Sequence, residues 1–206
     1  MALTKIDICN QALLKVGADP ISSLDTNANT AEPVIINAKL CKIFFDQSLR
    51  EVIREHNWNC VTKRARLSRD TEAPAFKWKY KYLLPNDNER VINVYDSSEG
   101  ENSKTEWAVE GNYIVCDYEQ VYIIYSYAPQ DLSILDAFVA KAVIQNLAVK
   151  IAVPLQLDQT MQNNLIEEYT NIILPSAKST DTLENRYWKM EESDWIQSIY
   201  NTSPII

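Results

Sequence analysis

The sequence predicts an α+β protein: an antiparallel helical bundle of about four helices, an inserted antiparallel β-domain and an extended C-terminal tail. Three observations carry that expectation. Apolar residues recur in steps of three and four over residues 4–56 and again over 133–173. Between these stretches, from Arg64 onward, the period drops to two. From residue 178 the chain turns polar and acidic, with isolated aromatic anchors. The expected divisions are 1–60 and 131–177 for the bundle, 61–130 for the β-rich insert and 178–206 for the tail.

Thr4 is the expected N-cap of the first helix, with Asp7 three residues on as an approximate capping box. Ile6, Cys9, Leu13 and Val16 share one face, and Gly17 and Pro20 stop the helix. The second helix starts near Thr30 and accepts Pro33 in its first turn. Its stripe is Ala38, Cys41, Phe45, Leu49, Val52 and His56. Phe76, Trp78, Tyr80 and Tyr82 alternate with Lys77, Lys79 and Lys81, which predicts a strand with one aromatic and one cationic face. Leu84-Pro85-Asn86-Asp87-Asn88 is a turn, residues 90–95 a second strand, and Glu110-Gly111-Asn112 a hairpin turn. Residues 121–127 form the last strand. Helices resume at Ser133, and residues 138–153 are apolar nearly all round, with Lys141, Gln145, Asn146 and Lys150 as a polar strip. Such a helix is normally central in a bundle. A further helix begins near Asp158 with Met161, Leu165, Tyr169, Ile172 and Ile173 buried, and Pro175 should kink or end it.

The 206 residues carry 46% hydrophobic and 23% charged residues, enough chain to bury a core without staples. Three glycines almost exclude phosphate-cradling loops, and one histidine excludes a multi-histidine metal site. Cys9, Cys41, Cys60 and Cys116 form no C-x-x-C pair and read as small buried hydrophobes, a usage that suits a reducing compartment. The N-terminus has no apolar signal region. Residues 134–153 are the best candidate membrane span, and five polar or charged residues within them argue against one.

The net charge of −8 argues against a general nucleic-acid binder. Its distribution is uneven. Residues 61–82 hold seven basic against two acidic residues, or +5, and 83–130 hold two basic against nine acidic, or −7. The two segments read either as complementary patches between copies or as two solvated faces. No nucleophile-elbow, zincin, P-loop or dinucleotide motif occurs. Cys41 and His56 share a helix face but lie roughly 22 Å apart along it, too far for a dyad, so His56 reads as a capping or core-edge residue. Glu167-Glu168 and Glu191-Glu192 are adjacent pairs and read as solvated helix face. No catalytic, cofactor or metal residues are therefore assigned. Tyr187, Trp188, Trp195, Ile196, Tyr200, Ile205 and Ile206 are spaced anchors in a polar segment. They read as a docking tail, the alternative being a tail packed on its own domain.

One ordered series of residues resembles a known family. Ala2-Leu3-Thr4 leads to Asn10-Gln11-Ala12-Leu13, Val16-Gly17 and Pro20-Ile21. His56-Asn57-Trp58-Asn59-Cys60 follows, then Thr62-Lys63-Arg64-Ala65 and Leu67. Phe76-Lys77-Trp78, Tyr80, Tyr82, Leu84-Pro85-Asn86-Asp87, Arg90-Val91, Trp107-Ala108-Val109-Glu110-Gly111 and Leu147-Ala148 complete it. The series resembles the head-to-tail adaptors of short-tailed bacteriophages, the group that includes tail tubular protein A, over residues 2–177. Cys60 departs from it, standing where an aromatic residue is expected, and the tail from 178 does not align.

The resemblance implies a virion structural protein assembled in the host cytoplasm. It implies a ring of about twelve copies beneath the portal, joined to the tail nozzle protein and extending the DNA channel without gripping DNA. In that setting the tail anchors become portal-docking residues, and Lys77, Lys79 and Lys81 become contacts between copies. A peptidoglycan hydrolase role during entry and a nucleic-acid-binding module on the lysine strand are the alternatives. No cofactor and no membrane partner are expected.

Overall fold

A computed structural model describes residues 3–25, 32–97 and 106–184. Helix α1 spans Lys5–Lys15. The Thr4 hydroxyl accepts from the Asp7 amide at 3.2 Å, and the Asp7 carboxylate accepts from the Thr4 amide at 2.9 Å. The capping box is therefore complete, and the Thr4 hydroxyl, donating to the Asp7 carboxylate at 2.6 Å, together with the Thr4 amide holds that carboxyl below the usual range. The buried face is Ile8, Cys9, Ala12 and Leu13, so Ile8 takes the place expected of Ile6. Gly17 closes the helix in the left-handed region, φ +72°, where a side chain would be strained. The Asn10 amide then donates to the Ile21 carbonyl at 2.9 Å and accepts from its N–H at 2.8 Å, which ties the following loop back onto the helix.

Helix α2 spans Glu32–Glu55 and buries Ala38, Cys41, Phe45, Leu49, Val52 and Ile53. Helix α3, Ala137–Ala152, starts later than the expected Ser133. Residues Leu132–Ile134 form a separate 3-10 turn, because Asp131 caps Ser133 and Asp136 caps Phe138. The expected polar strip on α3 does not form, since Gln145 is fully buried and Asn146 nearly so. Gln145 donates to the Leu165 carbonyl and to Glu168 and accepts from Lys15 at 2.5 Å, which satisfies its amide inside the core.

Helix α4, Gln159–Glu168, is capped by Asp158 as expected. Pro175 does not end the rod. A π-helical segment, Tyr169–Ile173, precedes it, and α5 continues from Leu174–Glu184. Proline lacks an N–H and crowds the carbonyl one turn back, and the wider π turn supplies the register change that lets the helix run on. The same shift turns Ile172 outward, 60% exposed, while Leu165 and Ile173 stay buried. Residues 178–184, expected as the start of the tail, are helical, and Asp181 among them is buried. The rest of the expected tail, from 185, lies outside the described residues.

The middle of the chain forms two three-stranded antiparallel sheets. Strands β1 (Thr62–Leu67), β6 (Val121–Tyr127) and β3 (Asn88–Tyr95) pair in the order β1-β6-β3. Strands β2 (Tyr80–Leu83), β5 (Tyr113–Cys116) and β4 (Trp107–Glu110) pair in the order β2-β5-β4. The β4–β5 hairpin turns on Gly111 and Asn112, with Gly111 at φ +60°. A single bridge, Arg69 to Tyr82, links the sheets. Buried residues fall into two clusters, one on the helices and one on the strands, and Tyr127 packs against both. The protein is thus mixed α+β. Among the described residues no helix is long and apolar enough to cross a membrane.

Between α2 and β1 the chain makes an elbow that joins the layers. Trp58 is fully buried, and its indole N–H donates to the Val52 carbonyl at 2.7 Å. The His56 ring stands edge-on to it at 4.9 Å, and His56 Nε2 lies 3.2 Å from Asp181 on α5. Asp181 also accepts from the Asn59 amide at 2.9 Å, and the Asn59 side chain donates to the Asp181 carbonyl at 2.9 Å. His56 is therefore a core-edge residue. Asp181→Ala should lower the unfolding free energy by about 2 kcal/mol, because it strips the acceptor from a part-buried N–H. Asp181→Asn, which keeps one acceptor oxygen, should recover part of that loss. Urea denaturation of both variants checks this.

Candidate functional site

The expected strand of alternating lysines and aromatics forms only from Tyr80. Lys77 has φ +70°, so the chain at 76–79 is bent and two-residue alternation does not hold there. Phe76 is 83% exposed instead of facing the core. Lys77 lies over the Trp78 ring at 4.8 Å from its centroid, and Lys81 over Tyr113 at 5.1 Å. Aromatic and cationic groups thus share one surface. Phe76, Lys77, Trp78 and Lys81 line a pocket of about 490 Å³ with Glu72 and Glu110.

The three lysines differ in what they offer. Lys81 is already engaged, 2.9 Å from Glu72 and 3.9 Å from Asp70. The hydrogen bond to Glu72 outweighs burial and raises its pKa. At Lys79 the backbone N–H donates to Asp117 at 2.9 Å, and the residue is exposed. Lys77 is also exposed. Lys77, Lys79 and Phe76 therefore form the protruding part of this loop, and Lys81 holds its base.

A cleft of about 750 Å³ runs where the helices meet the strands. Four carboxylates line it: Asp46, Asp87, Glu89 and Asp131. Asp46 is 2.8 Å from Lys5, Glu89 is 3.3 Å from Arg50, and Asp87 is 2.7 Å from Lys63. Burial opposes charge on Asp87, but Lys63 and the Tyr125 hydroxyl at 3.2 Å outweigh it and hold its pKa below the usual range. The Ser133 amide and hydroxyl lower Asp131 likewise. A general acid needs the opposite shift. Among the described residues no group of three or more histidines, cysteines or acids is placed to hold a metal ion.

Beside this cleft, two arginines cross between helix and sheet. Arg54 donates to the Glu89 carbonyl, and Arg90 donates to the Arg54 carbonyl at 2.7 Å and to the Asn57 side chain. Each guanidinium thus satisfies backbone at the other's element, which fixes α2 against β3. Sequence periodicity could not find this clasp, because both arginines sit at element ends where no stripe marks them. The Cys9–Cys41 contact between α1 and α2 was equally hidden. There the Cys9 thiol donates a hydrogen bond to Cys41, which with burial pushes it above its usual range.

Of the expected site residues, Tyr187, Trp188, Trp195, Ile196, Tyr200, Ile205 and Ile206 lie outside the described residues, as do Glu191 and Glu192. Glu168, expected as solvated face, instead pairs with Lys15 at 3.0 Å.

The Asp87–Lys63–Tyr125 group gives stability a defined pH dependence. Asp87 has a depressed folded pKa, so its contribution is present above the ordinary aspartate range and is lost as pH falls through the folded value. Burial, with Asp87 nearby, raises Tyr125 from 10.0 to about 12. Its contribution is complete below the ordinary tyrosine value and is lost as pH rises toward 12. Tyr125→Phe should reduce the alkaline loss, leaving the share of the other buried tyrosines Tyr82 and Tyr169, and move the acid part to higher pH, read from unfolding free energy against pH.

No protein-family model and no curated protein matches this chain.

Proposed function

We propose that this chain is a virion structural protein, a head-to-tail adaptor. In this reading about twelve copies form a ring beneath the portal, join it to the tail nozzle protein and extend the DNA channel. Each copy is a helical bundle carrying an inserted β-domain, with residues beyond α5 as the portal-docking tail. The observation that carries the reading is where the adaptor-like residues sit. Asn10 and Ile21 tie the first loop, and Trp58 and Asn59 build the elbow. Leu84 bonds to the hairpin turn, and Asp87 joins strand to strand. A series whose members hold the joints of one framework is more than shared composition.

The charge supports the same reading. A net charge of −8 disfavours DNA adsorption in a lumen that DNA must traverse. The loop of Phe76, Lys77 and Lys79 presents an exposed aromatic and two cations, a chemistry suited to an acidic neighbour. Stacking and charge do share a surface here, which favours a nucleic-acid platform more than strict alternation would. However, Glu72 and Glu110 line the same pocket and would repel phosphate, so a protein face is the better fit.

Mixing the purified chain with the portal ring of its own virus should give a native mass corresponding to about twelve copies per ring. A chain that ignores the ring removes the proposal. Reversing both exposed cations, Lys77→Glu with Lys79→Glu, should raise the concentration needed for assembly about tenfold at low ionic strength, with a smaller effect at high salt.

A further inference from the structure

Each three-stranded sheet has two edge strands, β1 and β3 in one and β2 and β4 in the other. Two of these edges are engaged within the chain. Arg69, just past β1, bridges Tyr82 on β2, and the Arg54–Arg90 clasp holds β3 against α2. Along β1 and β4 the only paired strand among the described residues is the inner neighbour, β6 or β5. An open edge presents a row of unpaired backbone N–H and C=O groups, which is a template for another strand.

The two open edges carry opposite charge. Arg64 and Arg66 are exposed on β1, and Glu106 and Glu110 are exposed at the two ends of β4. None of the four forms an ion pair with a described residue, and Arg66 lies over the Tyr122 ring at 5.8 Å. Lys63 on β1 is already taken by Asp87. Strand alternation sorts these side chains into faces. Arg64 and Arg66 lie on the face opposite Ala65 and Leu67, which pack in the core of the strands. Glu106, Ala108 and Glu110 lie on the face opposite Trp107, which packs on the same core. Val109, on the face of Trp107, is 48% exposed, so the apolar side of β4 is only partly covered.

We propose that β1 of one copy pairs antiparallel with β4 of a second copy, so that one sheet continues across the junction. The register with Arg64 opposite Glu110 uses the whole of β4. Ala65 then meets Val109, Arg66 meets Ala108 and Leu67 meets Trp107. Core face continues core face. Arg66 stands diagonally between Glu106 and Glu110, within reach of a long side chain. A slip of one residue would set each arginine against the apolar face. Charge also decides against the alternatives. Two β1 edges would oppose arginines and two β4 edges glutamates, and like charges across a strand pair are destabilising. The junction is therefore heterologous, with one basic and one acidic edge on each copy, and copies add head to tail. As the contact between copies of a ring, it rests on the adaptor reading, but it is measurable without a portal.

Sedimentation of the full chain over a range of concentrations at low ionic strength tests the junction. The wild-type mass should rise with concentration, and added salt should oppose the rise. Arg64→Glu with Arg66→Glu should weaken association at least about tenfold, and so should Glu106→Lys with Glu110→Lys. Arg64→Gln with Arg66→Gln should weaken it less, and replaces the reversal if that variant fails to fold. An equimolar mixture of the two reversed variants should associate like the wild type, because every junction between unlike copies again joins opposite charges. The first variant moves the net charge from −8 to −12 and the second to −4, so general attraction does not produce that rescue. Amides of 62–67 and 107–110 should gain protection from hydrogen exchange as the mass rises. A wild type that stays monomeric at every soluble concentration overturns the proposal. A mixture that does not recover overturns it, as does an assembled form with those amides unprotected. Edge pairing in a chain that ignores the portal ring keeps the junction and discards the adaptor. Full loading of the portal by both reversed variants keeps the adaptor and discards the junction.

Discussion

Between His56 and Thr62 the chain leaves a long helix and enters a sheet, and the polar groups released by that change must all find partners in a part-buried place. The Trp58 indole folds back on the Val52 carbonyl, the Thr62 hydroxyl donates to the Trp58 carbonyl, and Asp181 receives the Asn59 amide. Asn57 takes Arg90 from β3. Through these bonds one short segment meets α2, α5, β1 and β3. An unsatisfied buried polar group costs more than a typical hydrogen bond contributes. The relative placement of helices and strands therefore follows from satisfying this elbow.

The helical side adds a second polar constraint. Gln145 sits at the centre of α3 with no exposure, and Lys15, Glu168 and the Leu165 carbonyl complete its amide. An apolar helix can slide or rotate against apolar neighbours at small cost. A buried amide with partners on α1 and α4 cannot, so it sets the register of three helices. Glu168 before the π segment reaches Lys15 on α1, and Asp181 after it reaches Asn59 past the end of α2, so the rod passes from α1 to α2 across this segment.

On the strand side, exposed aromatic and cationic groups collect at a bend instead of along a strand. The left-handed Lys77 interrupts the pleat, and Lys81 braces the bend against Asp70 and Glu72. Rigid presentation matters for a contact surface, since a loop held before binding loses less entropy on docking. Three of the four carboxylates of the neighbouring cleft form ion pairs that join elements.

Local pattern alone determined much of this protein. The Thr4–Asp7 cap, the stripe of α2, the Gly111 turn and the Asp158 start each depend on residues within one or two turns of each other. Such signals are complete in the sequence because both partners are near neighbours in it. The alternation expected over 76–82 and an end of the helix at Pro175 do not appear, for a common reason. In each, a backbone conformation, left-handed at Lys77 and π-helical before Pro175, changed the direction of the side chains, and residue type does not encode that change. The burial of Gln145, the Arg54–Arg90 clasp and the Asp181 anchor were decided by tertiary structure. Their partners lie tens of residues apart or more, and only packing brings the groups within bonding distance.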